Sequence, residues 1–142
     1  MEQTKTAVQE AKKRIRKVKV KSQSTISVSD RLNIIIDAID DKKGKNIVSI
    51  DLTGINQSIF DYFVICHGDS TTQTDAIAHH VELKMKEKTG ETPFHSEGFE
   101  NSQWILIDYA DIIVHVFLEP YRQLYRLEDL WADGILKTYS FD

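Results

Sequence analysis

Two apolar, β-branched runs flank a short polar break in the second half of the chain. Residues 103–109 read Gln-Trp-Ile-Leu-Ile-Asp-Tyr, residues 112–118 read Ile-Ile-Val-His-Val-Phe-Leu, and Ala110 and Asp111 lie between them. That pattern predicts a β-hairpin with a two-residue loop. The pairing follows: Tyr109 opposite Ile112, Asp108 opposite Ile113, Leu106 opposite His115 and Trp104 opposite Phe117. Side chains alternate across a strand, so the hairpin has two unlike faces. Ile105, Ile107, Tyr109, Ile112, Val114 and Val116 make one almost wholly apolar face. Trp104, Leu106, Asp108, Ile113, His115 and Phe117 make the other, where large apolar groups mix with an acid and an imidazole.

The remaining elements follow from the same periodicities. Ser29 is placed to cap a helix whose stripe is Leu32, Ile35, Ile36 and Ile39, with Gly44 as its stop. Ile47 to Leu52 alternates and predicts a half-buried strand with Ser49 and Asp51 outward, and Thr53 to Asn56 supplies a turn. Tyr62 to Cys66 is uninterrupted apolar sequence, which fits a central strand covered on both faces. After Gly68-Asp69-Ser70, Ser70 and Gln73 have capping-box spacing, and Ile77, Val81 and Met85 carry a helical stripe to Gly90. Thr92 to Glu97 is a short strand that Pro93 assigns to an edge. Strand, helix and strand at this spacing predict a crossover between parallel strands. Beyond Pro120, one final amphipathic helix carries Tyr121, Leu124, Tyr125, Leu127, Leu130 and Trp131 and ends at Gly134. The fold class is α/β, a mixed five-stranded sheet with flanking helices, in a single domain spanning 30–142.

Charge divides the chain unevenly. Of 18 Lys and Arg and 22 Asp and Glu, residues 1–29 hold eight basic groups against Glu2 and Glu10, a net of +6. The remainder holds ten basic and twenty acidic groups, a net of −10. The basic arm lacks aromatics and apolar periodicity and reads as disordered. A solvated tail and a contact with RNA are both open for it. A mitochondrial transit peptide fits less well, because the arm is lysine-rich and contains Glu2 and Glu10. The acidic body is poorly suited to gripping phosphate backbones. No apolar run is long enough to span a bilayer. The single cysteine, Cys66, lies in an apolar run and reads as a small buried hydrophobe in a reducing compartment.

Few residues point to catalysis. Gly68-Asp69-Ser70 precedes a helix N-terminus but lacks the glycines and the Lys-Ser/Thr pair of a phosphate loop, so an ordinary turn explains it. Asp108, Asp111 and His115 come close in the hairpin and in principle suit a metal or an acid–base pair. Asp111 is better explained by the turn, however, and neither a metal nor a catalytic site is assigned. His79 and His80 are adjacent and lack the i, i+4 spacing of a zinc helix, while His67 and His95 stand alone and are expected to be solvated or singly bonded. Trp104 stands apart. It begins a strand, follows the polar loop Glu100 to Gln103 and shares a face with Asp108 and His115, the setting of a protein-binding hot spot.

Three segments together resemble the ribosomal silencing factor (Iojap) family: Asp61 to Ser70; Glu97-Gly98 leading to Trp104 to Tyr109 and Val114 to Phe117; and Arg122, Tyr125, Leu127-Glu128 and Leu130-Trp131. The resemblance implies a nucleotidyltransferase-like fold without catalytic acids, no cofactor and no enzymatic step. It also implies a cytoplasmic factor that binds the large ribosomal subunit through its protein number fourteen. There it would block joining of the small subunit and repress translation when nutrients are short. Trp104, Asp108 and Tyr109 match positions implied in that contact, and face analysis adds Leu106 and His115. The chain departs from the family in Ala110, where glycine is usual in the turn, and in Thr74 and His79, where valine and aspartate are usual. Two readings compete with it: a phosphate-handling enzyme using Gly68-Asp69-Ser70 and Asp108, and a scaffold that forms a homodimer.

Overall fold

A computed structural model describes residues 26–55 and 58–141. Apart from Ile26 to Ser29, the expected arm lies outside the described residues. The first helix, α1, is Val28–Asp41 and starts slightly earlier than its stripe implies, because Ser27 is the cap and its Oγ accepts from Asp30 N at 3.1 Å. Ile35, Ile36, Ala38 and Ile39 are buried along it. A side chain at Gly44 would approach Ile39 Cγ2 to 2.3 Å, so the chain turns closely under the helix end only with glycine there.

Among the described residues six strands follow: β1 (Lys45–Asp51), β2 (Tyr62–Gly68), β3 (His95–Glu97), β4 (Trp104–Asp108), β5 (Ile112–Leu118) and β6 (Ile135–Thr138). They form one sheet in the order β3-β4-β5-β2-β1-β6. β2 lies inside the sheet, parallel to β5 and antiparallel to β1. Helix α2 (Thr71–Thr89) links β2 to the edge strand β3 and is capped by Ser70, whose Oγ accepts from Gln73 N. The mixed α/β class is as expected, but the strand count is corrected from five to six. All four residues of β6 are exposed, so no alternation of burial marks it in the sequence, and its backbone pairing with β1 is what orders it. β1 is corrected too. Val48, Ile50 and Leu52 face one core and Ile47 the other. Ser49 is buried, with its hydroxyl 2.9 Å from that of Tyr139.

The hairpin has the expected register throughout, Trp104 opposite Phe117, Leu106 opposite His115 and Asp108 opposite Ile113. Tyr109 N donates to Ile112 O at 2.9 Å across the loop. Ala110 takes a φ of 76°, a left-handed conformation costly for a residue with a Cβ. Asp108 helps to hold it, its Oδ1 accepting from Ala110 N at 2.6 Å. One face of the sheet packs with α1 and α2 into a core that contains Ile105, Ile107, Tyr109, Ile112, Val114 and Val116. The opposite face is covered by two short helices, α3 (Glu119–Tyr125) and α4 (Leu127–Leu130). The expected single helix breaks between them at Arg126, whose φ is 50°.

Arg31 ties three elements together. Its Nη1 and Nη2 donate to both Asp111 carboxylate oxygens at 2.6 and 3.0 Å, and its Nε donates to Glu91 at 2.8 Å. The pair links α1 to the hairpin turn and to the segment after α2, and Arg31 is buried there. Removing Asp111 leaves the partly exposed Glu91 as the remaining counter-charge of a guanidinium held away from water. Asp111→Ala should therefore lower unfolding free energy by up to roughly 3–5 kcal/mol in urea titrations, whereas exposed Lys88→Ala should change it by less than about 0.5 kcal/mol.

Candidate functional site

Trp104 is positioned from both ends. Before it, the loop from Gly98 closes with Ser102 N donating to Gly98 O at 2.9 Å. Gly98 has a φ of 95°, and any Cβ there would lie 2.0 Å from the Trp104 carbonyl oxygen. Glycine thus lets the loop pass against the start of β4. After it, the indole stacks on Phe117, with ring centroids 5.0 Å apart, and meets Tyr125 of α3 at 4.7 Å. Its Nε1 donates to His115 Nδ1 at 3.1 Å. That bond requires an unprotonated Nδ1, so the His115 proton is on Nε2. The imidazole is fully buried, with the Phe63 ring edge-on at 4.6 Å, and burial pushes its pKa down to about 3.

The expectation that this face of the hairpin lies open is corrected. Leu106, Asp108 and His115 are buried, Leu106 in the core that α3 and α4 cover, His115 between Phe63 and Trp104 and Asp108 against the turn amide, and Tyr109 belongs to the opposite core. Burial raises the Tyr109 pKa above the usual phenol value. Of the five predicted contact residues, Trp104 alone is partly exposed. α3, which meets the indole through the partly exposed Tyr125, also carries the 65% exposed Leu124 and the partly exposed Tyr121. Sequence reasoning assigned these three to a core-facing stripe. The overlooked signal is the turn after Tyr125, which leaves a helix of seven residues, too short to bury so many large side chains.

The alternative chemical groupings do not assemble. Asp111 pairs with Arg31 and Asp108 accepts from the turn amide, so they do not join His115 in one site. Asp108 is opposite Ile113, which is opposite Phe63, five residues before Gly68 on β2. At ~3.3 Å per residue, Asp108 and Gly68-Asp69-Ser70 lie at opposite ends of the sheet. Among the described residues, no group of three or more His, Cys, Asp or Glu is placed to hold a metal ion. No described helix is long and apolar enough to cross a membrane. His80 meets Asp41 and His95 meets Glu97. His67 is singly bonded, one of the two expected states, and buried, its Nδ1 accepting from Arg122 Nη1 at 3.0 Å. Cys66 is buried and its thiol is pushed up to about 12.

Residues 23–140 match the family described as ribosomal silencing factor during starvation. The ribosomal silencing factor RsfS of Halalkalibacterium halodurans is 41% identical over 109 residues, 77% of this chain and 92% of that protein. The factor of the same name from Bacillus subtilis is 40% identical over 110 residues, 78% of this chain and 92% of that protein. A crystal structure of a protein from Chromobacterium violaceum is similar with a TM-score of 0.72 at 33% identity, covering 82% of this chain and 95% of that one.

Two outcomes follow from burial. His115 is neutral in the folded state below the pH at which an unfolded histidine is charged, so the unfolded chain binds the extra proton. Stability should fall as pH drops below the ordinary value of 6.5 and the loss should continue to about 3. The full effect is up to roughly 5 kcal/mol. Urea titrations across that range should show a shallower slope for His115→Phe. Cys66, buried and held as the thiol, should resist maleimide labelling at pH 8 until the protein is unfolded.

Proposed function

The chain belongs to the ribosomal silencing factor family, and from that premise we propose that it docks on the large ribosomal subunit through the apolar rim around Trp104. The partner we assign is the large-subunit protein number fourteen, and the effect is steric: the docked factor keeps the small subunit from joining. The observation that carries this reading is a partly exposed indole against Tyr125 of α3, the helix that also carries the partly exposed Tyr121 and the 65% exposed Leu124. Aromatic anchors ringed by apolar ground are what a protein interface needs for affinity. Leu106, Asp108, Tyr109 and His115 then serve as supports: Asp108 fixes the turn, His115 fixes the indole, and Leu106 and Tyr109 fill the two cores. The action requires no cofactor or covalent step, and its place is the cytoplasm.

The basic arm of residues 1–29 acts in this reading as an electrostatic tether to nearby ribosomal RNA, supported by its net charge of +6. Self-association of two copies is a second reading, favoured by the edge strand β6, where Ile135 is 73% exposed and one side of the backbone has no strand beside it. It predicts concentration-dependent light scattering that Leu136→Lys abolishes.

Leu124→Glu tests the surface without disturbing the core, because its side chain faces solvent. It should weaken binding to the isolated ribosomal protein by about 2 kcal/mol or more, roughly thirtyfold, with circular dichroism unchanged. Trp104→Ala should weaken it at least as much. Native spectra with unaltered affinity in both variants would refute the assigned surface. Deleting residues 1–29 should flatten the salt dependence of subunit binding, and an unchanged slope would remove the tether.

A further inference from the structure

A second feature lies on the other side of α3 from Trp104. Phe117 on β5 is flanked by Trp104 on β4 and His67 on β2, and α3 reaches both neighbours, placing Tyr125 on the indole and Arg122 on the imidazole. Beside Arg122 opens a cleft of about 530 Å³, lined among others by Asn46, His67, Glu119, Arg122, Arg126 and Glu128. It sits at the carboxyl ends of the parallel strands β2 and β5, where open α/β sheets hold their ligands. Two of its lining residues, Asn46 and Arg126, have left-handed backbone at φ 47° and 50°, the kind of local strain that collects at binding sites.

The walls offer donors and acceptors together. His67 and Arg122 are both more than nine-tenths buried. Since His67 Nδ1 accepts from Arg122, its proton is on Nε2, and no described group meets that nitrogen. Arg122 uses Nη1 for His67 and for Lys45 O at 3.3 Å, and Nε faces Glu128 at 3.5 Å, so no described bond uses Nη2. On the acceptor side, Glu128 Oε1 is buried with no partner among the described residues, and Glu119 accepts only from Gln123. Arg126 is held by Asp129 at 2.7 Å. Two arginines against Glu119, Glu128 and Asp129 leave no positive excess, so a bare anion such as phosphate is disfavoured, and Arg122 at the cleft wall disfavours a bare metal cation. A ligand that matches both walls carries a carboxylate and an ammonium close together.

We propose that this cleft binds a free α-amino acid, its carboxylate on Arg122 Nη2 and His67 Nε2 and its ammonium against Glu119 and Glu128. Arg122 and Tyr125 lie one turn apart on α3, so a ligand on the first bears on the helix that carries the docking rim. The test needs no ribosome, so its failure leaves the docking surface untouched, and a failure of docking leaves this site untouched.

Thermal shift and isothermal titration of the full chain with each free L-amino acid in turn, at a few millimolar, would decide it. At least one should raise the melting temperature and bind. Its carboxamide and its N-acetyl derivative, each lacking one charge, should bind about tenfold more weakly or worse. Glu119→Gln and His67→Leu should each cost a similar factor, and Glu119→Gln should retain the wild-type melting temperature without ligand. The proposal is overturned if no amino acid binds, if the carboxamide binds as well as the acid, if Glu119→Gln leaves affinity unchanged, or if inorganic phosphate competes for the same cleft.

Discussion

The hairpin β4–β5 is almost wholly apolar on one face and apolar around Asp108 and His115 on the other, and each face has to be kept from water. α1 and α2 cover one side with 14 and 19 residues. Among the described residues, the other side has only α3 and α4, of seven and four residues. That cover is enough to bury Phe63, Ile65, Leu106, Ile113 and Phe117 but too small to seal the sheet end where Trp104 begins its strand. The partly open indole, and the apolar ground of α3 beside it, are consequences of an unequal cover. A patch of that kind is retained at a cost in solubility and is the usual mark of an interaction surface.

What holds the indole in place is a hydrogen bond that works only with an uncharged imidazole. Trp104 Nε1 donates to His115 Nδ1, and the surroundings of His115 are Phe63, Phe117 and the sheet, with burial as the cause of its low pKa. The Trp104 ring is therefore fixed by packing against Phe117 and Tyr125 and by one directional bond. A rigid aromatic anchor loses little side-chain entropy on binding, which favours affinity for its area. On the opposite side of the sheet, the Arg31–Asp111 pair holds the hairpin turn to α1. The ends of this ribbon are thus secured by unlike means, a buried ion pair at the turn and an aromatic cluster at the open end.

The hairpin register was legible in the sequence because alternation and loop length leave few choices, and Ala110 adopts a left-handed φ rather than shifting the pairing. The central position of β2 was legible too, since an unbroken apolar run has to be covered on both faces. β6 was not, because its residues are exposed and its order comes from backbone pairing with a distant strand. Ser49 was misjudged for a related reason: its neighbour, Tyr139, comes from far along the chain. At the candidate site, Trp104 was identifiable from its place after a polar loop. Leu106 and His115 were not identifiable as buried, because the helices over that core come later in the chain, and Asp108 was not because its partner is the amide of its own turn. Leu124 was hidden by the apolar stripe that made α3 look like core.

Hydrogen–deuterium exchange of the full chain, alone and bound to purified large subunits, tests the docking claim most directly. The account predicts slowed exchange in residues 119–126 and around Trp104 on binding, with the β6 backbone unchanged. Protection confined to β6 or β3, with α3 exchanging as in the free protein, would contradict it.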